Sequence, residues 1–209
     1  MKKIIIVSIC FAALFLPLNI SAQNLKTNLS MEGNMGHLAS WQQLSMFGSG
    51  LSDNRCAVVE FSFMYNFNDT LGLGVEYLNY GMNVAAYSEV ITANFVALQM
   101  RVARPLQFTN DITVNLMFDA AFGCTFLTNE FDYDEVVYKT DRRGFGMDFS
   151  MGFTVPVFKM VSVGMKCGYY LSFLNKPKVD ESISSNLLDF ENQMITSTYV
   201  MGTLAIRLF

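Results

Sequence analysis

Beyond its first two dozen residues, the chain is dominated by a regular alternation of apolar and polar side chains. The longest example runs from Ile112 to Phe126, where every even-numbered residue is apolar and most odd-numbered residues are small or polar. Successive side chains of a β-strand point to opposite faces of the sheet, so a two-residue period indicates a strand with two different faces. The run therefore predicts a strand with one apolar and one polar face.

Eight segments carry this pattern. They cover residues 25–35, 57–67, 71–77, 90–103, 112–126, 145–155, 161–173 and 199–208. The whole chain contains only 4 prolines, which suits long strands because proline removes a donor from the hydrogen-bond ladder. No linker or change of composition separates the segments, so we expect the eight strands to form one domain.

The connections between the segments alternate in length. The short ones cover residues 68–69, 105–111 and 156–160. The others are mostly longer and cover residues 37–55, 81–89, 128–143 and 174–194. In an up-and-down barrel this alternation places the long loops on one rim and both termini on the other, as in outer-membrane barrels with short periplasmic turns.

The composition bears on which face meets the solvent. Hydrophobic residues make up 52% of the chain and charged residues 15%, the latter well below the roughly 25% usual in soluble domains. No segment after the N-terminus approaches the ~18 consecutive apolar residues of a membrane-spanning helix. A soluble barrel with its apolar face inside is the main alternative, but it would carry Lys, Glu and Asp on its outside. Here the polar face consists mainly of Gly, Ser, Thr and Asn, which fit a narrow interior.

We therefore predict an all-β fold, an eight-stranded antiparallel up-and-down transmembrane β-barrel whose apolar face contacts membrane lipid. Aromatic residues near the strand ends would form an interfacial girdle. They are Tyr65, Phe67, Tyr77, Phe126 and Phe173. The net charge of −4 argues against a nucleic-acid partner, which requires a basic patch.

The N-terminal segment has the features of an export signal. Lys2 and Lys3 precede an apolar stretch over residues 4–18, and Ala22 offers a small residue for cleavage. Cleavage there would remove residues 1–22 and leave residues 23–209 as the β-barrel domain. Lipidation of Cys10 is the alternative, but Cys10 lies inside the apolar stretch and does not follow a small residue.

The polar face carries one or two charges per strand, which the barrel would enclose. The expected lumen charge network consists of Glu32, Glu60, Glu76, Arg101, Asp119, Asp148, Lys166 and Arg207. Buried charges are costly unless paired, and the bore of an eight-stranded barrel is just wide enough for side chains to fill. We expect a plugged lumen in which the network is a structural clamp. A proton or ion path is the alternative.

The short turns predict which of these charges face each other. Folding the second hairpin about Asn68 places Glu60 opposite Glu76, and folding the sixth and seventh strands about Val157 places Asp148 opposite Lys166. Two facing carboxylates repel each other unless a cation reaches between them or one keeps its proton.

Several features together resemble the small outer-membrane β-barrels, in particular the outer-membrane protein β-barrel domain or PorT-like group and the OmpA type. They are the signal ending at 21–23, the strand-turn-strand from Phe61 to Tyr77, and an apolar final strand that ends at Phe209. The resemblance implies an outer-membrane location and a C-terminal signal read by the barrel-assembly machinery. That signal would comprise Leu204, Ile206, Leu208 and Phe209. Arg207 departs from the pattern, because an aromatic or aliphatic residue is commoner on that face.

Two features could carry chemistry. His37, with Ser40 and Ser45 nearby in sequence, could belong to a lipid-modifying enzyme, but the spacing secures neither a serine within hydrogen-bond reach nor an orienting acid. The acidic segment 130–135 could bind Ca²⁺, although it lacks the glycine and distal glutamate of an EF-hand loop. We expect no catalytic residues, no metal and no cofactor.

Three hypotheses for function follow. The first is a non-enzymatic barrel in envelope structure, adhesion or assembly, with surface protein partners contacting loops 37–55, 128–143 and 174–194. The second is a transport or secretion-accessory barrel that passes small apolar molecules sideways. The third is the lipid-modifying enzyme.

Overall fold

The computed structural model describes residues 28–42, 56–68, 70–84, 89–107, 113–133, 136–176, 178–179 and 193–208. Their strands are β1 (Asn28–Gln42), β2 (Cys56–Asn66), β3 (Leu71–Val84), β4 (Glu89–Gln107), β5 (Thr113–Tyr133), β6 (Val136–Pro156), β7 (Val161–Leu174), β8 (Lys178–Val179) and β9 (Gln193–Arg207). Within these residues, no helix has the length and apolar character needed to cross a membrane.

Eight of the strands close into an antiparallel barrel. Each strand from β1 to β6 pairs with the next one along the chain, β7 pairs with β9, and β9 pairs with β1. The two-residue β8 lies outside this circuit and pairs only with Thr140 and Asp141 of β6. The prediction of an eight-stranded up-and-down β-barrel is confirmed.

Large apolar side chains cover the outside of the barrel. On β4, Leu98 is 66% exposed, whereas its chain neighbours Ala97 and Gln99 are buried. The same alternation recurs around the barrel, and the five aromatic residues expected near the strand ends all lie on this exposed face. A contiguous apolar surface of this extent suits contact with lipid chains rather than with water. The predicted orientation, with the apolar face outside, is therefore that of a transmembrane barrel.

The predicted pairings across two hairpins are wrong, by two residues in the β2–β3 hairpin and by four residues in the β6–β7 hairpin. Glu60 faces Leu78 and Glu76 faces Ser62, because Asn68 Oδ1 accepts hydrogen bonds from the amides of Thr70 and Leu71 and centres the turn beyond Asn68.

The β6–β7 hairpin shows the same kind of error. Asp148 faces Tyr170 and Lys166 faces Gly152, since the whole segment 157–160 forms the turn between Pro156 and Ser162. A shift by an even number of residues, here two or four, preserves the face of every side chain, so the lumen residues stay in the lumen.

Strands also extend into three of the connections expected to be long loops. β1 continues to Gln42, so His37 lies in a strand, paired with Ala57 and Val200, and not in loop 37–55. β3 continues to Val84, and most of segment 128–143 is a β-hairpin formed by the ends of β5 and β6. The backbone hydrogen bonds between strands continue into these segments, although their two faces no longer differ in polarity. The alternation of apolar and polar residues therefore could not reveal the extensions.

Some predictions fall on residues that the structure does not describe. The expected signal peptide over residues 1–22, with its cleavage after Ala22, lies outside the described residues, as do Ser45 and Phe209.

Candidate functional site in the barrel lumen

Seven of the eight expected network charges are buried in the lumen, one from each strand β1 to β7. They are Glu32, Glu60, Glu76, Arg101, Asp119, Asp148 and Lys166, and we call them the charge layer. Their positions follow from the alternation, since each occupies the inward phase of its strand. The expected eighth member, Arg207, is exposed at the end of β9 and makes no contact with this layer among the described ion pairs. It therefore does not belong to the charge layer.

The guanidinium of Arg101 binds two carboxylates of the layer through the N–H groups on two of its edges. Its Nε and Nη2 donate to the two carboxylate oxygens of Asp119 at 2.7 and 2.8 Å. Nη2 also donates to Glu32 Oε2 at 2.7 Å, and Nη1 contacts Glu32 Oε1. The planar guanidinium thus holds two carboxylates in a fork geometry that a lysine could not reproduce. This contact ties β4 to β5 beside it and to β1 farther around the barrel.

Lys166 makes the second connection. Its Nζ donates to Glu60 Oε1 at 2.6 Å and lies 3.4 Å from Asp119 Oδ2. Asn34 Nδ2 donates to the same Glu60 oxygen at 3.0 Å. Lys166 and Glu60 are 106 residues apart in sequence. Because β1 and β9 lie between β2 and β7 in the barrel, the pair spans the lumen. Asp119 links the two cations, so five members of the layer form one network.

Asp148 is held by a tyrosine that the charge pattern did not single out. Tyr199 on β9 donates from its hydroxyl to Asp148 Oδ2 at 2.7 Å. The ring can pass over β7 to reach β6 because Gly168 on β7 has no side chain, and a Cβ there would lie 2.2 Å from Tyr199 Cζ. The alternation predicted that both residues point inward, but it could not show that they touch.

Glu76 differs from the other members. It is 1% exposed, and neither of its carboxylate oxygens has a hydrogen-bond partner in the structure. The layer holds five carboxylic acids and two bases, so the acids outnumber the cations that could pair with them. No three Asp, Glu, His or Cys side chains of the described residues converge in a way that could hold a metal ion.

Above the charge layer, toward the rim with the longer connections, an apolar cluster fills much of the lumen, beside buried polar side chains such as Thr125 and Arg142. Tyr170 packs edge-on against Tyr80 and Phe95, with ring centroids 5.4 and 5.2 Å away. Its hydroxyl hydrogen-bonds to Thr125. We call this cluster the apolar plug; its buried members are Cys56, Val58, Leu78, Tyr80, Ile91, Ala93, Phe95, Leu127, Tyr170, Leu174 and Ile195.

Sequence reasoning missed this plug. It predicted a polar inner face, whereas Leu78, Ile91 and Phe95 point inward and are fully buried. Around Ile91 to Phe95 the sequence does alternate, but here the apolar phase is the inward one and Thr92 and Asn94 lie on the other face. The reversal of polarity within β4 was the available signal.

The other end of the lumen is also closed by side chains. Met64 and Met117 are buried there, and Asn66 Nδ2 donates to Ser30 Oγ at 3.0 Å. Across the described residues the lumen is therefore filled by three successive layers, which fits the narrow bore of an eight-stranded barrel. Chemically, such an arrangement crosslinks strands and excludes solvent.

The other residues considered for chemistry are His37, the acidic segment 130–135 and the cysteines. His37 is exposed, and its Nδ1 lies 3.1 Å from the carbonyl oxygen of Cys56. In the acidic segment, Glu130 lies on β5 and binds Lys139 of β6 at 3.0 Å, while residues 134–135 lie outside the described part. Cys56, Cys124 and Cys167 are free thiols.

Of the expected assembly signal, Leu204 and Ile206 are exposed on the outer face. Leu208 is half-buried, and its amide donates to the carbonyl oxygen of Leu29 at 2.8 Å.

No protein-family model matches the sequence, and curated proteins give no significant match. Among solved structures, the barrel is similar to Neisserial surface protein A, with 14% identity and a TM-score of 0.55 over 86% of this chain and 97% of that one. It is also similar to the N-terminal β-barrel domain of Pseudomonas aeruginosa OprF, with 11% identity and a TM-score of 0.49 over 87% and 98% of the two chains. A third similar structure is Ail, the attachment invasion locus protein of Yersinia pestis, with 10% identity and a TM-score of 0.47 over 87% and 97%. At such identities the likeness concerns the fold, and the chain has the fold of the small eight-stranded outer-membrane β-barrels.

Proposed function

We propose that this outer-membrane barrel is a closed, non-enzymatic membrane element that serves envelope structure, adhesion or assembly with other surface proteins. The observation that carries the proposal is the filled lumen. Among the described residues, buried side chains of the charge layer and the apolar plug occupy the lumen. A barrel closed in this way offers its two rims, and not its interior, to other molecules.

The filled lumen also counts against the transport hypothesis, since passage of a small apolar molecule needs a cavity among the outer strand ends. A lipid-modifying activity lacks support of its own, because the described contacts of His37 include no serine hydroxyl or carboxylate. Partners would contact the rim opposite the short turns, where β5 and β6 end, in line with the expected partner segments 37–55, 128–143 and 174–194.

Two further points belong to the same proposal. Residues 1–22 are an export signal removed after Ala22, and the final strand with Leu204, Ile206, Leu208 and Phe209 is read by the barrel-assembly machinery. Both features support our proposal that the chain is a PorT-like or OmpA-type barrel. Mass spectrometry of the protein purified from the outer membrane should give a chain that begins at Gln23; a chain that begins at Met1 would contradict the export proposal.

The main experiment combines membrane fractionation with electrophoresis of unboiled and boiled samples, followed by conductance in planar lipid bilayers. We expect the protein in the outer-membrane fraction, a mobility shift on boiling, and no stepwise ion conductance by the folded protein. Steady channel conductance would contradict the closed barrel while leaving the fold intact. A chain that stays folded and monomeric in buffer without detergent would contradict the membrane barrel itself.

A further inference from the structure

Two turns at the same end of the barrel have opposite chemistry. The β2–β3 turn is polar, and Asn68 Oδ1 accepts hydrogen bonds from two backbone amides at 2.8 and 2.7 Å. The β6–β7 turn is Val157-Phe158-Lys159-Met160, in which Phe158 is 71% exposed and Val157 and Met160 are 51% and 52% exposed. A tight turn in water normally carries Gly, Asn, Asp or Ser. Three exposed apolar residues in four therefore need an apolar neighbour.

The β6–β7 turn is held in a defined conformation. The amides of Val157 and Phe158 both donate to the carbonyl oxygen of Val161, at 2.9 and 3.0 Å, and the Val161 amide donates back to Phe158 O at 3.3 Å. The amide of Arg207 on β9 donates to Met160 O at 2.8 Å. Phe158 is thus presented on a hydrogen-bonded support that is fixed to the neighbouring strand.

The apolar surface of the turn continues the lipid-facing surface of the barrel. Phe153 on β6 and Val163 on β7 face outward and are exposed, so the apolar face reaches the turn without a polar break. Lys159 and Arg207 are both exposed beside the turn, and segments 153–163 and 204–208 contain no acidic residue. Aromatic residues flanked by Lys or Arg are typical of segments that lie at the membrane–water interface.

We propose that the β6–β7 turn inserts into the interfacial layer of the membrane leaflet at its end of the barrel, where Lys159 and Arg207 bind the phosphates of anionic phospholipids. This inference rests on the proposed membrane location of the barrel. Lipid is the expected partner because the surface of the β6–β7 turn is continuous with the lipid-facing belt of the barrel and its charged residues are all positive. The β2–β3 turn, by contrast, lies in water.

Tryptophan fluorescence tests the depth of the turn. The sequence has a single Trp, Trp41, so a Trp41→Phe background allows one tryptophan to be placed at each chosen position. Phe158→Trp probes the apolar turn, Thr70→Trp probes the polar turn, and Leu98→Trp probes the lipid-facing belt. Each variant is reconstituted into phosphatidylcholine vesicles whose acyl chains are brominated either near the head group or near the chain end, and is also titrated with aqueous acrylamide.

We expect the Phe158→Trp variant to be quenched by the shallow bromines and protected from acrylamide, and the Thr70→Trp variant to behave in the opposite way. If both turns are quenched equally by acrylamide while Leu98→Trp is quenched by bromine, the insertion is overturned, the barrel stands, and the turn is left available to a periplasmic protein. If Leu98→Trp also resists bromine quenching, the membrane barrel itself is overturned. The failures of the two proposals are therefore distinguishable.

Lipid selectivity tests the basic pair. Energy transfer from the Phe158→Trp variant to pyrene-labelled phosphatidylglycerol is compared with transfer to pyrene-labelled phosphatidylcholine. We expect a preference for the anionic lipid of about fivefold per basic residue near the surface, which Lys159→Gln and Arg207→Gln should each reduce. Lys139→Gln, an exposed lysine at the opposite rim, should leave the preference unchanged. Equal transfer to both lipids before any basic residue is replaced would overturn the head-group assignment.

Discussion

The charge layer and the apolar plug fill the same lumen by different chemistry. The charge layer crosslinks strands through a few directional contacts, with Arg101 and Lys166 joining carboxylates of three other strands. The plug has no ion pair among its members and is held by packing of rings and aliphatic side chains. Buried ion pairs depend on complete partners, because one unpaired charge in a low-dielectric interior is costly. The stability of apolar packing depends on how completely the side chains fill the space. Substitutions should therefore destabilise the charge layer by removing a charge partner and the plug by leaving a cavity.

The largest effect is expected from removing the central cation of the charge layer. Arg101→Met leaves Glu32 and Asp119 buried without their main partner, and we expect a loss of about 3–5 kcal/mol in the free energy of unfolding. Urea unfolding of the barrel in lipid vesicles measures it. Arg104→Met is the matched control, because Arg104 is exposed on the same strand, and it should change stability by no more than about 0.5 kcal/mol. Equal losses for both variants would show that the charge layer has no special role.

The plug should respond to lost volume. Phe95→Ala removes the ring that packs at 5.2 Å from Tyr170, and we expect a loss of about 3–4 kcal/mol because a cavity remains. Leu98→Ala on the same strand faces lipid and should cost less, since acyl chains can move into the space. The comparison uses the same unfolding assay. A larger loss for Leu98→Ala would contradict the assignment of inward and outward faces.

A smaller effect is expected where a glycine makes room for a contact of the charge layer. Gly168→Ala places a Cβ against the Tyr199 ring, so the ring must move and its hydroxyl must leave Asp148. We expect a loss of about 1–3 kcal/mol. Gly33→Ala is the control, since a Cβ there meets no atom closer than 3.8 Å. If Tyr199→Phe removes as much stability in the Gly168→Ala background as in the unsubstituted protein, the predicted coupling is wrong.

The smallest change in stability is expected for Glu76→Gln, compared with the same substitution at Glu60 in the charge layer. Glu60 accepts hydrogen bonds from Lys166 and Asn34, so Glu60→Gln should cost about 1.5–3 kcal/mol, as expected for a hydrogen bond to a charged group. Glu76 has no hydrogen-bond partner, and Glu76→Gln removes one surplus acid while keeping the shape of the side chain. We expect a change within about 0.5 kcal/mol, or a gain in stability. A loss for Glu76→Gln equal to that of Glu60→Gln would mean that Glu76 has a bonding role like that of Glu60.

The same contrast explains how far the sequence could be interpreted. Alternation predicted the faces of the eight barrel strands, and it placed seven of the eight network charges inside, because side-chain direction in a strand depends on parity alone. Partners within the charge layer depend on register, and the turns shifted the register by two residues in the β2–β3 hairpin and by four in the β6–β7 hairpin. Arg207 has inward parity, but at the end of β9 its side chain is exposed beside the β6–β7 turn. In the plug, inward positions such as Leu78, Ile91 and Phe95 are apolar, so the assumption that the polar face points inward gave no indication of it.

The central claim is that one face of each strand contacts acyl chains while the other fills a closed lumen. Methyl-labelled methionines measure this directly by nuclear magnetic resonance in lipid nanodiscs, through magnetisation transfer from acyl-chain methylene protons. The outward-facing Met100, Met151 and Met165 should receive magnetisation from lipid, and the buried Met64, Met117 and Met201 should not. Transfer to the second group and not to the first would mean that the barrel is inside out, and would contradict the account.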